Sequence, residues 1–194
     1  MTSLEATLRK ITTDLTEAHV QFGLVGGLAV SVRTEPRFTR DADLAVALAT
    51  DAEAEGLIHS LRARGYGIDA VVEQEAVGRL ATVRLTLSAE SEAPVVDLLF
   101  ASSGIESEVV TDAEPIDLLP QLRVGVARTG HLIALKVLSR DDVRRPQDLV
   151  DLRALLRVAS PAEIARARQS LSLIAARGYH RGHDLTSEMD SLFS

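Results

Sequence analysis

Cysteine and tryptophan are both absent from the 194-residue chain, and the aromatic set is four Phe and two Tyr. Without cysteine there are no disulfides, no cysteine-held zinc, no iron–sulfur cluster and no cysteine nucleophile. With so few rings, the core must be built from Ala, Leu, Val and Ile. No apolar run approaches the ~18 residues of a membrane span. The opening MTSLEATLRK also lacks the apolar stretch of a secretion signal. The expectation is a cytoplasmic protein with no membrane partner. Three familiar motifs are missing too: G-x-x-x-x-G-K-[ST], G-x-G-x-x-G and G-x-S-x-G.

What is present fits an ordinary folded chain, with 46% apolar and 25% charged residues. The length suits one domain, or one domain with a helical appendage. The net charge of −7 argues against a simple nucleic-acid binder. Its distribution is uneven, however. Fifteen acidic and four basic residues fall within 42–120, against twelve basic and five acidic within 121–183. The Arg-rich part either solvates helix faces or steers phosphates.

Leu4, Leu8, Ile11, Leu15 and His19 recur at helical spacing and predict a helix over 3–19. A short buried strand, Phe22-Gly23-Leu24-Val25, runs into Gly26-Gly27 and a small-residue helix ending near Arg33. A strand follows over 44–48, then a helix capped by Asp51 that stops at Gly65. Strands are expected at 68–72, 80–87 and 95–100, with a possible last one at 122–127. Helices are expected at 129–140, 146–158 and 161–177, the last two opening on proline. The tail from Gly178 is polar and weakly patterned. The boundary between an α/β half, 1–128, and a helical half, 129–194, falls near residue 128.

The most informative stretch is Gly26-Gly27 followed by Asp41-Ala42-Asp43. Residues two apart on a strand face the same way, so Asp41 and Asp43 present adjacent carboxylates. These repel unless a cation sits between them or one is protonated. Mg²⁺ suits such hard oxygen donors and takes its remaining ligands from phosphate and water. An exposed pair of strand-edge acids is the plain alternative. Gly26 and Gly27, between strand and helix, let backbone N–H groups approach a phosphate, or simply make the turn. Asp97 lies inside the apolar run Pro94–Phe100, where burial requires a partner, either a metal or a salt bridge. Arg33, Arg37 and Arg40 surround the loop before the acidic pair and would place cations near a triphosphate. Thr39, two residues before Asp41, either seats a phosphate oxygen or is an ordinary exposed Thr. A phosphoryl group there would compete with substrate, making Thr39 a candidate regulatory point. Ser102-Ser103 has no evident His partner, and His180-x-x-His183 reads as solvated rather than zinc-binding.

Helix, strand, Gly-Gly, helix, D-x-D strand and a later strand Asp together resemble the polymerase-beta-like nucleotidyltransferase superfamily. The segments LVGGLAVSVRTEPRFTRDADLAV and HLIALKVLSRDDVRRPQDLVDLRALL are similar to those of AbiEii/AbiGii and MenT-like toxin nucleotidyltransferases. The resemblance spans roughly residues 20–157. It implies an α/β (α+β) fold, a mixed sheet with flanking helices followed by a C-terminal helical bundle. It also implies Mg²⁺ (or Mn²⁺) held by Asp41, Asp43 and Asp97, an NTP of the ATP/CTP type as substrate, Lys136 on the triphosphate, and Asp148 positioning or deprotonating an acceptor hydroxyl. The implied acceptor is RNA, with the tRNA 3′ end foremost, and the implied partner is a cognate antitoxin. Two departures stand out: Gly27 replaces the usual Ser of a Gly-Ser pair, and Gln147 replaces a Lys. By themselves, Lys136 could be a snorkelling core-edge Lys and Asp148 with Asp151 a solvated helix start. An antibiotic-type transferase acting on a small molecule, or a non-catalytic nucleotide-binding module, are the alternative functions.

Overall fold

The computed structural model describes residues 3–37, 39–87, 94–141, 144 and 146–193. The helical period at the start is realised in α1 (Ser3–Glu17), which buries Leu8, Ile11 and Leu15. β1 (Phe22–Val25) feeds directly into α2 (Gly26–Arg33), and β2 (Ala42–Val46) follows. β2 begins two residues earlier than the apolar pattern suggests, because Asp43 itself pairs in the ladder, opposite Val25. α3 (Asp51–Ala63) is capped by Thr50 rather than Asp51. Thr50 and Glu53 form a reciprocal capping box, which frees Asp51 to accept from Arg79.

β3 (Gly67–Gln74), β4 (Arg79–Thr86) and β5 (Val95–Leu99) come next, then α4 (Glu106–Thr111), β6 (Glu114–Leu119) and β7 (Leu122–Val126). The alternation of β4 is realised in full: Ala81, Val83 and Leu85 are buried, while Thr82, Arg84 and Thr86 are only partly covered. α4 and β6 escape a reading by period, since six residues make less than two helical turns and Pro115 punctuates the strand. The seven strands form one mixed sheet in the order β3-β4-β5-β2-β1-β7-β6, with β2 parallel to β5 and β1 parallel to β7.

The helical half comprises α5 (Thr129–Ser139), α6 (Pro146–Val158), α7 (Pro161–Ala176) and α8 (Leu185–Asp190). α8 lies in the tail that looked unpatterned, and it anchors through Leu185 and Met189, both buried. α5 and α6 pack on α2, α7 packs on α5, and α8 on α7. Buried residues of both halves, from Leu8 to Met189, form one continuous core. Among the described residues no helix is long and apolar enough to cross a membrane.

A Ser–His–Asp array links α5 and α7 to the C-terminal end of α4. His131 Nδ1 lies 3.0 Å from Ser170 Oγ and its Nε2 3.1 Å from Asp112 Oδ2. Ser170 and His131 are buried, and neither lines a cleft, so the array works as a packing network between α5 and α7.

Candidate active site

A cleft of about 510 Å³ opens where α2 leaves β1, and is lined by residues of both halves. Its floor is set by strand register. Asp43 of β2 lies opposite Asp97 of β5, and Asp97 lies opposite Arg84 of β4. Asp41, just before β2, also lines the cleft. Burial, then the charges of Asp97 and Asp41, push the Asp43 carboxyl up to about 6, and the backbone N–H of Gly27 donates to it. The approach of α2 is close. Gly26 has φ +64, and a Cβ there would fall on the carboxylate of Asp43. Gly27 is close to other side chains: a Cβ there would sit 2.6 Å from Arg37 Nη2 and 3.3 Å from Thr39 Oγ1, and would displace the flexible Arg37 guanidinium. The space of a side chain at 27 is therefore filled by the Arg37 guanidinium and the Thr39 hydroxyl.

The facing wall is ionic. Lys136 Nζ donates to Asp148 Oδ1 at 2.6 Å and lies 2.9 Å from Asp151 Oδ2. Arg37 Nη2 donates to Asp151 Oδ2 at 2.8 Å, and Ser139 Oγ to Asp148 Oδ2 at 3.0 Å. Asp148 and Asp151 retain 3% and 1% of their surface, so these charges are matched inside the protein rather than by water. Lys136 is thus no snorkelling side chain. Its two carboxylates and Arg37 tie α5 and α6 to the loop that follows α2. Asp151 belongs to this wall as firmly as Asp148, and the D-x-x-D spacing on one helix face is the signal that would have found it.

Asp97 has the salt-bridge partner that its burial called for. Both its oxygens are taken by Arg84, Nε to Oδ1 at 2.9 Å and Nη2 to Oδ2 at 2.7 Å. Among the described residues no three acidic or imidazole side chains converge tightly enough to hold an ion outright. A divalent cation nonetheless suits this donor set. Burial and then the charges of Asp97 and Asp41 raise the Asp43 carboxyl, a strain that a bound cation would relieve, and Mg²⁺ needs few protein ligands.

Arg33 is not a cleft residue. It donates to the carbonyls of Ala127 and Val126, both at 2.9 Å, and to Glu114 at 2.6 Å, tying α2 to β6 and β7. Arg40 is exposed and does not line the cleft, whereas Arg37, Arg84, Arg144 and Arg181 do. Phe38 and Arg145, which flank candidate residues in the sequence, lie outside the described residues. His183 lies 2.7 Å from Glu188, a local contact.

Residues 13–194 match the family described as nucleotidyl transferase AbiEii toxin, type IV toxin–antitoxin system. The chain belongs to the AbiEii toxin family. It is a nucleotidyltransferase, and its system includes a cognate antitoxin. No curated protein sequence matches it. Solved structures with the same fold include an antigenic nucleotidyltransferase-like protein from Paracoccidioides brasiliensis. That likeness has TM-score 0.56 at 18% identity, covering 97% of this chain and 92% of that one. The antibiotic-resistance factor ANT(2'')-Ia aligns with TM-score 0.57 at 17% identity, covering 94% and 100%. The lincosamide antibiotic adenylyltransferase LnuA, lincomycin-bound, aligns at 0.50 and 15% identity, covering 80% and 98%. At these identities the likeness establishes the mixed-sheet nucleotidyltransferase fold of this AbiEii-family chain.

Proposed function

We propose that the chain is a metal-dependent toxin that transfers a nucleoside monophosphate from an NTP to an RNA acceptor, foremost the tRNA 3′ end, releasing pyrophosphate, and so blocks translation. The observation that carries the reading is the row Asp43–Asp97 beside Asp41, under the Gly26-Gly27 turn. In this assignment residues 1–128 form the catalytic α/β unit, and 129–194 the helical region that supplies the opposing wall.

Asp41 and Asp43 would hold Mg²⁺ or Mn²⁺, joined by Asp97. The cation would neutralise triphosphate charge and make the acceptor hydroxyl easier to deprotonate. The backbone at Gly26 and Gly27 would take phosphate oxygens where no side chain obstructs. Lys136 would turn part of its charge to the triphosphate, and Asp148 would orient the acceptor hydroxyl and take its proton. The Thr39 hydroxyl, at the place a residue-27 side chain would occupy, is the candidate regulatory point, and the antitoxin the candidate regulator.

Arg144 and Arg181 on the cleft would supply positive charge for an RNA acceptor. Incubating the protein with total RNA and each labelled NTP in turn, with and without Mg²⁺, tests the reading. Label appearing on RNA, and falling steeply with salt, supports it. Label on added lincomycin instead, with little salt dependence, would favour small-molecule transfer, the kind named for the lincosamide antibiotic adenylyltransferase that shares the fold.

A further inference from the structure

Arg84, Asp97 and Asp43 stand abreast on three neighbouring strands, Arg84 opposite Asp97 and Asp97 opposite Asp43. The Arg84 guanidinium meets both Asp97 oxygens edge-on, at 2.9 and 2.7 Å. The two partners are unequally fixed. The Asp97 side chain is 13% exposed, whereas that of Arg84 is 41% exposed, on the cleft wall. A long, half-exposed stem can swing while its partner stays in place. The guanidinium fork fits a phosphate as well as a carboxylate, since both offer two oxygens at similar spacing. With the guanidinium on both oxygens, a metal ion at the same carboxylate is left only the outer lone pairs and meets a like charge beside it.

We propose that Arg84 is a positioning residue that occupies Asp97 until nucleotide arrives, then exchanges that carboxylate for the phosphate oxygens of the NTP, releasing Asp97 to the metal. The inference rests on the metal reading above. It makes metal and nucleotide binding mutually dependent: each ligand removes one partner of the Arg84–Asp97 pair and so eases entry of the other. Such coupling is reciprocal by linkage. It also confines the complete carboxylate trio to the moment when a triphosphate is present.

The test is titration of the full chain with Mn²⁺ alone, and again with a non-hydrolysable NTP analogue, followed by calorimetry. Wild type should bind Mn²⁺ weakly alone, and about tenfold or more tightly with the analogue. Arg84→Gln should bind Mn²⁺ alone about tenfold more tightly than wild type, should gain little from the analogue, and should bind the analogue more weakly. Arg84→Lys keeps the charge without the fork. It should move in the same direction by a smaller factor, and carries the test if Arg84→Gln does not fold. Unchanged Mn²⁺ affinity and unchanged coupling in a cooperatively folded Arg84 variant overturn the exchange and leave a structural ion pair. Equal Mn²⁺ affinity in wild type and Asp43→Asn overturns the metal reading itself, a separate failure.

Discussion

Gly26 and Asp43 approach so closely that no side chain fits between them: a Cβ on Gly26 would occupy the position of Asp43 Oδ2. The backbone of Gly26 is also left-handed, φ +64. Gly26→Ala should therefore lose transfer activity and cost about 1–2 kcal/mol from the backbone alone. Gly65→Ala is the control. Gly65 has φ +95 with nothing within 4 Å of its Cβ position, so it should show the strain in its melting temperature while retaining transfer.

Asp43 carries a stability cost that depends on pH. Its carboxyl is raised from 3.8 to about 6, chiefly by burial and then by Asp97 and Asp41. The folded state thus holds the proton more tightly than the unfolded chain does. The cost is absent well below pH 4, grows between the two values and is complete above pH 6, at about 3 kcal/mol. Asp43→Asn keeps an acceptor for Gly27 N–H but cannot ionise. Its melting temperature should exceed that of wild type at pH 8, with the gain vanishing towards pH 4, while transfer is lost. Added Mg²⁺ should raise the melting temperature of wild type and not of the variant. A variant no more stable than wild type at pH 8 contradicts the crowding argument.

The Lys136 wall yields a contrast. Lys136→Ala leaves two buried carboxylates with less counter-charge, so it should destabilise the fold by about 3 kcal/mol or more as well as weaken NTP use. Asp148→Asn keeps the size and a polar partner for Ser139. It should lower kcat far more than it raises KM for NTP. Equal falls in both parameters would place Asp148 in binding rather than in proton transfer.

His131 gives stability the opposite pH dependence from Asp43. Burial lowers its pKa, against the pull of Asp112. Arg166 and Glu163 also face it, the first opposing protonation and the second favouring it. The unfolded chain takes up a proton near pH 6.5 that the folded His131 resists, so stability is full above pH 6.5 and falls as pH drops towards the folded value. In urea melts, wild type should lose more stability between pH 7 and 5 than His131→Gln does.

Thr39→Glu would place a carboxylate beside Arg37 and Asp41, in space a triphosphate needs. We expect it to melt within a few degrees of wild type, bind NTP poorly and transfer little, while Thr39→Val transfers nearly normally. A folded, fully active Thr39→Glu protein would remove Thr39 from any role in control.

Gly26, Gly27, Asp41, Asp43, Asp97, Lys136 and Asp148 were all legible in the sequence, and all line one cleft. For Gly26, Gly27, Asp41, Asp43 and Asp97 the signal was local, glycines at a strand-to-helix turn and acids at a strand start or inside an apolar run, whereas Lys136 and Asp148 were singled out only through the family resemblance. Arg84 carries no such signature. It occupies an ordinary outward position of an alternating strand, and its meaning depends on register with β5, which no local pattern records. Arg33 failed the other way. Its nearness in sequence to Asp41 suggested a phosphate cation, but the end of α2 directs it to the carbonyls of β7. The fold was legible where period was long, in α1, β4 and α7, and lost where elements were short. α4 and α8 are six residues each and owe their structure to the core they touch.

The cleft draws Asp41, Asp43 and Asp97 from one half of the chain and Lys136 and Asp148 from the other, while the core beneath them is continuous. A gene cut between the codons for Ala127 and Thr129 would therefore yield two harmless pieces. Neither would hold the full set of groups proposed for transfer, and each would present a raw apolar face to the other. Toxicity would return only on their reunion, and the dose of the scarcer piece would set its strength.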